Sequence, residues 1–124
     1  TFILLDLDGL KYINDNFGHG EGDNAIRKTA EALKSVCPPE TLCGRFGGDE
    51  MIAVVEGNLS EVMLRDNLQE YLDTYNASSG KEYSVETSMG IYVADYTEVN
   101  DFEELLRKVD QRMYQDKALR KQRK

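Results

Sequence analysis

An α+β fold, a ferredoxin-like palm with helices on one face of a central antiparallel sheet, is predicted by three observations. Residues 2–8, FILLDLD, are apolar on both faces until their end, the mark of a central, buried strand. TLCGRF (41–46) and EMIAVV (50–55) are two short strand-like runs on either side of Gly47-Gly48 and Asp49, and they read as a β-hairpin. Helical patterns fill the intervals, so the order is β-α-α-β-β-α-β-α with an antiparallel pair in the middle. A chain of 124 residues is one domain spanning 1–124, large enough for a single core.

Each element has its own local reason. A short helix is expected over 10–17, broken at Gly18. Gly20 and Gly22 then frame a loop, and Asp23 opens a helix to about 36, with Ile26, Ala30, Leu33 and Cys37 at helical spacing. Pro38-Pro39 stops it. In the hairpin, the paired glycines supply the positive φ of a tight primed turn. Ser60 caps a helix to about 77, and a strand lies near 83–95. A last helix begins after Asn100-Asp101, with Phe102, Leu105, Leu106, Val109 and Met113 on one face.

Charge narrows the function classes. The formal net charge is −8, yet 10 basic against 23 acidic residues lie in 1–116, a net of −13 there. Lys117, Arg120, Lys121, Arg123 and Lys124 crowd the last eight positions. So acidic a body does not bind nucleic acid through its general field. The basic tail suits either a solvated helix end or an anionic ligand nearby. No apolar run approaches a membrane span and nothing resembles a signal peptide, which points to a cytoplasmic domain without membrane contacts of its own, though its parent protein is allowed a tether. Cys37 and Cys43 form no CxxC or Cys/His cluster and are expected as free thiols.

Two carboxylates two residues apart at a strand end, Asp6 and Asp8, project from one face and repel unless a cation lies between them. Mg²⁺ takes one or two carboxylates plus substrate phosphate oxygens, which suits a triphosphate site. Asp-x-Asp-Gly after an apolar strand also suits a phosphatase of the haloacid-dehalogenase type with a nucleophilic aspartate, and an aspartate there also opens a turn with no chemistry at all. The element order disfavours the phosphatase, whose larger run of parallel βα units is missing. GRFGGDEM (44–51) adds Asp49 and Glu50 at a hairpin tip, facing the same cleft as Asp6 if the hairpin lies beside the first strand.

With these segments the chain resembles a GGDEF domain, the diguanylate cyclase family, whose fold is nucleotide-cyclase-like. DLDGLKYINDNFGHGEGD (6–23) is similar to D-x-D-x-F-K-x-I-N-D-x-x-G-H-x-x-G-D, RFGGDEM (45–51) to R-x-G-G-D-E-F, and DQRMYQDK (110–117) to D-x-A-L-Y-x-A-K. The resemblance implies condensation of two GTP, one on each of two facing domains, into cyclic di-GMP and pyrophosphate by a homodimer with Mg²⁺ or Mn²⁺. It implies metal ligation by Asp6, the carbonyl of Leu7 and Asp49, a role for Glu50 in orienting or deprotonating the attacking hydroxyl, and phosphate contacts from the amides of Gly9 and Leu10. Asn14 and Asp23 would read guanine, since an ionised Asp accepts from N1–H and the exocyclic amine together. Lys117 matches the phosphate-binding lysine, and Lys121 follows one turn later where the family usually has arginine. Asp23 also suits a helix N-cap, Asn14 a helix surface, and His19 a structural loop.

Three departures accompany the match. Met51 stands where the pattern has an aromatic residue, a shape change that methionine absorbs. PPET (38–41) occupies the place of the family's Arg-x-x-Asp inhibitory motif, so no product-binding inhibitory site is expected. The helix and turn that precede the first strand in the family are absent, as in a domain trimmed at its N-terminus. A catalytically inactive GTP-binding regulatory module is the alternative reading, with the intact Asp6, Asn14, Asp23, Asp49 and Glu50 against it.

Overall fold

The computed structural model describes residues 1–45, 47–57, 59–93 and 101–122, the side chains of 120–122 excepted. Four strands, β1 (Phe2–Leu7), β2 (Leu42–Arg45), β3 (Glu50–Val54) and β4 (Thr87–Tyr92), form one sheet in the order β2-β3-β1-β4. Every neighbouring pair is antiparallel, with β1 between β3 and β4. That central place explains why FILLDL is apolar on both faces. Ile3, Leu5 and Leu7 point to one side, Leu4 to the other, and all four are buried.

Helices α1 (Leu10–Phe17), α2 (His19–Val36) and α3 (Glu61–Ser78) share the core with Ile3, Leu5 and Leu7. The fourth, α4 (Phe102–Gln122), lies on the opposite face, where Leu105, Val109 and Met113 pack with Leu4. The expectation of helices on a single face is thus corrected: the even-numbered apolar residues of β1 require a cover of their own, and α4 supplies it. Its axis comes close to β4 because Gly90 has no side chain: a Cβ there would meet the Val109 carbonyl oxygen at 2.2 Å. Phe102, expected on the buried face of this helix, is 54% exposed, one turn short of the sheet contact at Leu105.

Two further local expectations change. Helix α2 starts at His19, four residues before Asp23, so Gly20 and Gly22 are helical and Asp23 is no N-cap. The N-cap is Gly18, with φ 92° and ψ 161°, which also ends α1. In the hairpin, the last paired residues are Arg45 and Met51, and neither Gly47 nor Gly48 has a positive φ, so the tip is not the tight primed turn that the paired glycines suggested. Ser60 caps α3 as its sequence suggests, accepting from the Met63 N–H at 3.3 Å. Strand β4 is shorter than the expected 83–95, and positions 94 and 95 lie outside the described residues. Cys37 and Cys43 are free thiols. Among the described residues, no helix is long and apolar enough to cross a membrane.

Candidate active site

The antiparallel register sets Asp6 of β1 directly opposite Glu50 of β3 on one side and Ser88 of β4 on the other. One further hydrogen bond, from the Leu7 N–H to the Asp49 carbonyl at 2.9 Å, extends the β1–β3 ladder and brings Asp49 level with the strand end. Two of these carboxylates, Asp6 and Glu50, thus face each other as cross-strand neighbours, an arrangement that repels unless a cation is near. Lys117 of α4 is that cation, donating to Asp6 Oδ2 at 2.5 Å.

Asp6 is 4% exposed, and its other oxygen, Oδ1, is buried without a hydrogen-bond partner among the described residues. Burial pushes its carboxyl up to about 6, against the hydrogen bond from Lys117 and with the help of the negative charge of Asp49. The paired ammonium would by itself lower that value, so here desolvation outweighs the ion pair. Lys117 is raised above its ordinary value, first by its bond to Asp6 and also by the charges of Asp6, Asp8 and Asp49, against the effect of burial. Glu50 is raised by burial and then by Asp49 and Asp110, with Lys117 opposing.

Asp8 lies beyond the end of β1. Its carboxylate accepts from the fully buried Ser88 hydroxyl at 3.0 Å, and its N–H donates to the Glu86 carbonyl at 2.8 Å. It therefore ties the end of β1 to β4, while its charge is also felt by Lys117. Gly9 is the N-cap of α1 in the left-handed region, φ 72° and ψ 26°, and Leu10 is the first helical residue. The first N–H groups of a helix lack intrahelical acceptors, so the amides here are available to an anion.

Asn14 on α1 and Asp23 on α2 are brought together by the tight helix–Gly18–helix turn. A Cβ on Gly22 would lie 1.8 Å from Asn14 Oδ1, so the asparagine side chain rests on bare helix backbone one residue from Asp23. Asp23 itself is exposed, in the second turn of α2, and His19 is exposed at its start. Met51 is 5% exposed and shares the α1–α3 core with Leu5, its partner across the sheet, which makes its apolar exchange for an aromatic a matter of packing.

One contributor went unread in the sequence. Arg45 folds back over the hairpin, donating from Nε to the Gly47 carbonyl at 3.0 Å and from Nη2 to the Gly48 carbonyl at 2.7 Å. Its signal was an arginine two residues before the glycine pair. The side chain of Lys121 lies outside the described residues, although α4 runs through its backbone.

Hard oxygen donors, Asp6 Oδ1 without a partner among the described residues and the neighbouring Asp49, lie at the strand end and fit a small divalent cation that completes its shell with phosphate oxygens and water. Among the described residues no three His, Cys, Asp or Glu side chains form a metal cluster, so the side-chain donors offered here are two carboxylates. A cleft of about 350 Å³ beside Gly9 is lined by Asp8 together with Glu82 and Glu86, and one of about 620 Å³ between α2 and α3 contains none of these residues.

The family model for the diguanylate cyclase GGDEF domain matches residues 1–123. The diguanylate cyclase DgcS of Shewanella oneidensis is 30% identical over 119 residues, 95% of this chain and 39% of that protein. DgcP of Escherichia coli, also a diguanylate cyclase, is 34% identical over 117 residues, 92% of this chain and 34% of that protein. The chain thus spans little more than a third of these curated relatives. Among solved structures, the active GGEEF domain of a diguanylate cyclase from Vibrio cholerae superposes with a TM-score of 0.72 at 28% identity, covering 94% of this chain and 75% of that one. With motif, strand register and family match in agreement, the chain belongs to the GGDEF family of diguanylate cyclase domains.

Proposed function

We propose that this domain is a diguanylate cyclase that condenses two GTP into cyclic di-GMP, working as a homodimer. The observation that carries the reading is the buried Asp6, with one oxygen on Lys117 and the other without a partner among the described residues, beside Asp49 at the end of β1. Asp6, Asp49 and the Leu7 carbonyl hold Mg²⁺ or Mn²⁺. That ion, when bound, neutralises phosphate charge and lowers the pKa of the attacking hydroxyl.

The chain's own groups do the rest. Amides of Gly9 and Leu10 and the ammonium groups of Lys117 and Lys121 hold the phosphates, Lys121 without the planar fork an arginine would bring. Asn14 and Asp23 accept from the guanine edge, which adenine cannot match. Glu50 orients the 3′-hydroxyl and receives its proton, a task that suits a carboxylate raised by burial and by Asp49. Each 3′-oxygen bonds to the α-phosphorus of the facing nucleotide as the bond to pyrophosphate breaks, so two transfers yield one cyclic dinucleotide and two pyrophosphates. Each nucleotide is both nucleophile and electrophile, which is why two domains must face each other.

The test is incubation of the domain with GTP and Mg²⁺, products separated by chromatography and GTP affinity measured alongside. Cyclic di-GMP and pyrophosphate are expected. GTP bound without turnover would make it a regulatory module instead, and failure to bind GTP would overturn the site altogether.

A further inference from the structure

Strand β4 is the outermost strand on its side of the sheet, yet at Met89 its outward backbone groups are not left open. Asp116 Oδ2 of α4 accepts from the Met89 N–H at 2.8 Å, and Arg65 Nη2 of α3 donates to the Met89 carbonyl at 3.1 Å. The two side chains join through Arg65 Nη1 and Asp116 Oδ1 at 3.3 Å, and Arg65 is steadied in turn by Glu61 at 3.0 Å. Together they do for one residue of β4 what a further strand would do.

This bracket sits next to Lys117 in the chain, at a point where apolar packing has run out. The apolar anchors of α4 are Leu105, Val109 and Met113, so they end one turn before Lys117. Beyond Met113 the large apolar side chains point outward, Tyr114 at 73% and Leu119 at 53% exposure. Asp116 therefore joins the Lys117–Asp6 contact in holding this turn of the helix to the sheet, and its place on the edge of β4 sets the neighbouring Lys117 over β1 at Asp6. Arg65 also offsets the negative charge that Asp116 places beside a phosphate-binding lysine. The pattern D-x-A-L-Y-x-A-K has alanine at this position, a residue unable to make either contact.

We infer that Arg65 and Asp116 are positioning residues for Lys117, acting on nucleotide affinity through it. The inference rests on the phosphate-binding role proposed for Lys117.

Calorimetric titration with 3′-deoxy-GTP and Mg²⁺, which binds but has no attacking hydroxyl, tests the bracket and the lysine separately. Asp116→Ala should weaken binding about fivefold or more, the value of one or two fixed hydrogen bonds. Asp116→Asn, which still accepts from the Met89 N–H, should recover most of the loss. In a Lys117→Ala background Asp116→Ala should add nothing, because a group that works through Lys117 has nothing left to position. Equal losses from Asp116→Ala in both backgrounds would make it a structural contact only and overturn the inference. If Lys117→Ala weakens binding and Asp116→Ala does not, the inference alone falls; if Lys117→Ala leaves binding unchanged, the role of Lys117 falls and takes the inference with it.

Discussion

Lys117 and Asp6 are 111 positions apart in sequence and joined by a hydrogen bond at the end of the central strand. The contact links the two faces of the domain's chemistry: a carboxylate suited to metal and an ammonium suited to phosphate already share one cleft. It also means that the negative charges gathered by the β1–β3 register are balanced from across the sheet, by a helix the hairpin does not touch in sequence.

Asp49→Ala should abolish turnover and leave the fold intact. Asp49 is half-buried at a hairpin tip, and the ladder contact it makes uses its backbone carbonyl, which the substitution keeps. Cyclic di-GMP formation should drop by about 10²-fold or more while the melting curve stays close to that of the parent chain. Wild-type turnover in this variant would show that the metal ligands are misassigned.

Stability should depend on pH through Asp6. Its carboxyl is raised from 3.8 to about 6 by burial, so the folded state binds that proton more tightly than the unfolded chain does. The resulting stabilisation is present in full below about pH 4 and is lost as pH rises through about 6. Glu50, raised for the same reason, acts in the same direction. A divalent cation favours the ionised carboxylate, so Mg²⁺ should raise Tm more at about pH 7.5 than at about pH 5. Equal shifts at both pH values, measured by differential scanning calorimetry, would count against Asp6 as a ligand.

Gly22→Ala should separate folding from recognition. In a helix, alanine is favoured over glycine by about 0.5–1 kcal/mol, but here the new methyl claims the position of Asn14 Oδ1, the far end of a movable side chain. The variant should fold with stability equal to or above the parent and lose much of its preference for GTP over ATP, read as a ratio of dissociation constants. A retained preference would free Asn14 from the guanine-reading role.

Cyclic di-GMP should neither bind nor inhibit at the turn before β2. Pro38 and Thr41 stand where arginine and aspartate would grip the dinucleotide, and the turn is closed on itself by the Thr41 N–H donating to the Pro38 carbonyl at 3.1 Å. Two missing charge-assisted contacts, each about 1.5–3 kcal/mol, remove about two orders of magnitude or more in affinity. Submicromolar binding by calorimetry that survives loss of Asp6 and Asp49 would contradict this.

Much of this domain was legible in the sequence because its signals are local. A strand apolar on both faces had to be central, Ser60 had to cap α3, Pro38-Pro39 had to end α2, and the glycine-flanked carboxylates had to sit at a hairpin tip. Glycine at 20 and 22 argued for a loop, by propensity alone, yet both lie in α2, and position 22 is a helical glycine because Asn14 occupies the space a side chain would need.

What the tertiary structure alone decided concerns partners far apart in the chain. Periodicity says which residues of α4 are buried but not against which face, and the cover needed by Leu4 placed it opposite α1–α3. The Arg65–Asp116 bracket has no sequence signature, and the arginine before the glycine pair marked a position without showing that it clamps the hairpin carbonyls, since each contact depends on backbone groups exposed by a particular strand end or edge. Asp6 titrates high for the same reason. Its residue type and strand position were readable from the start, but the balance among burial, Asp49 and Lys117 exists only once three segments meet.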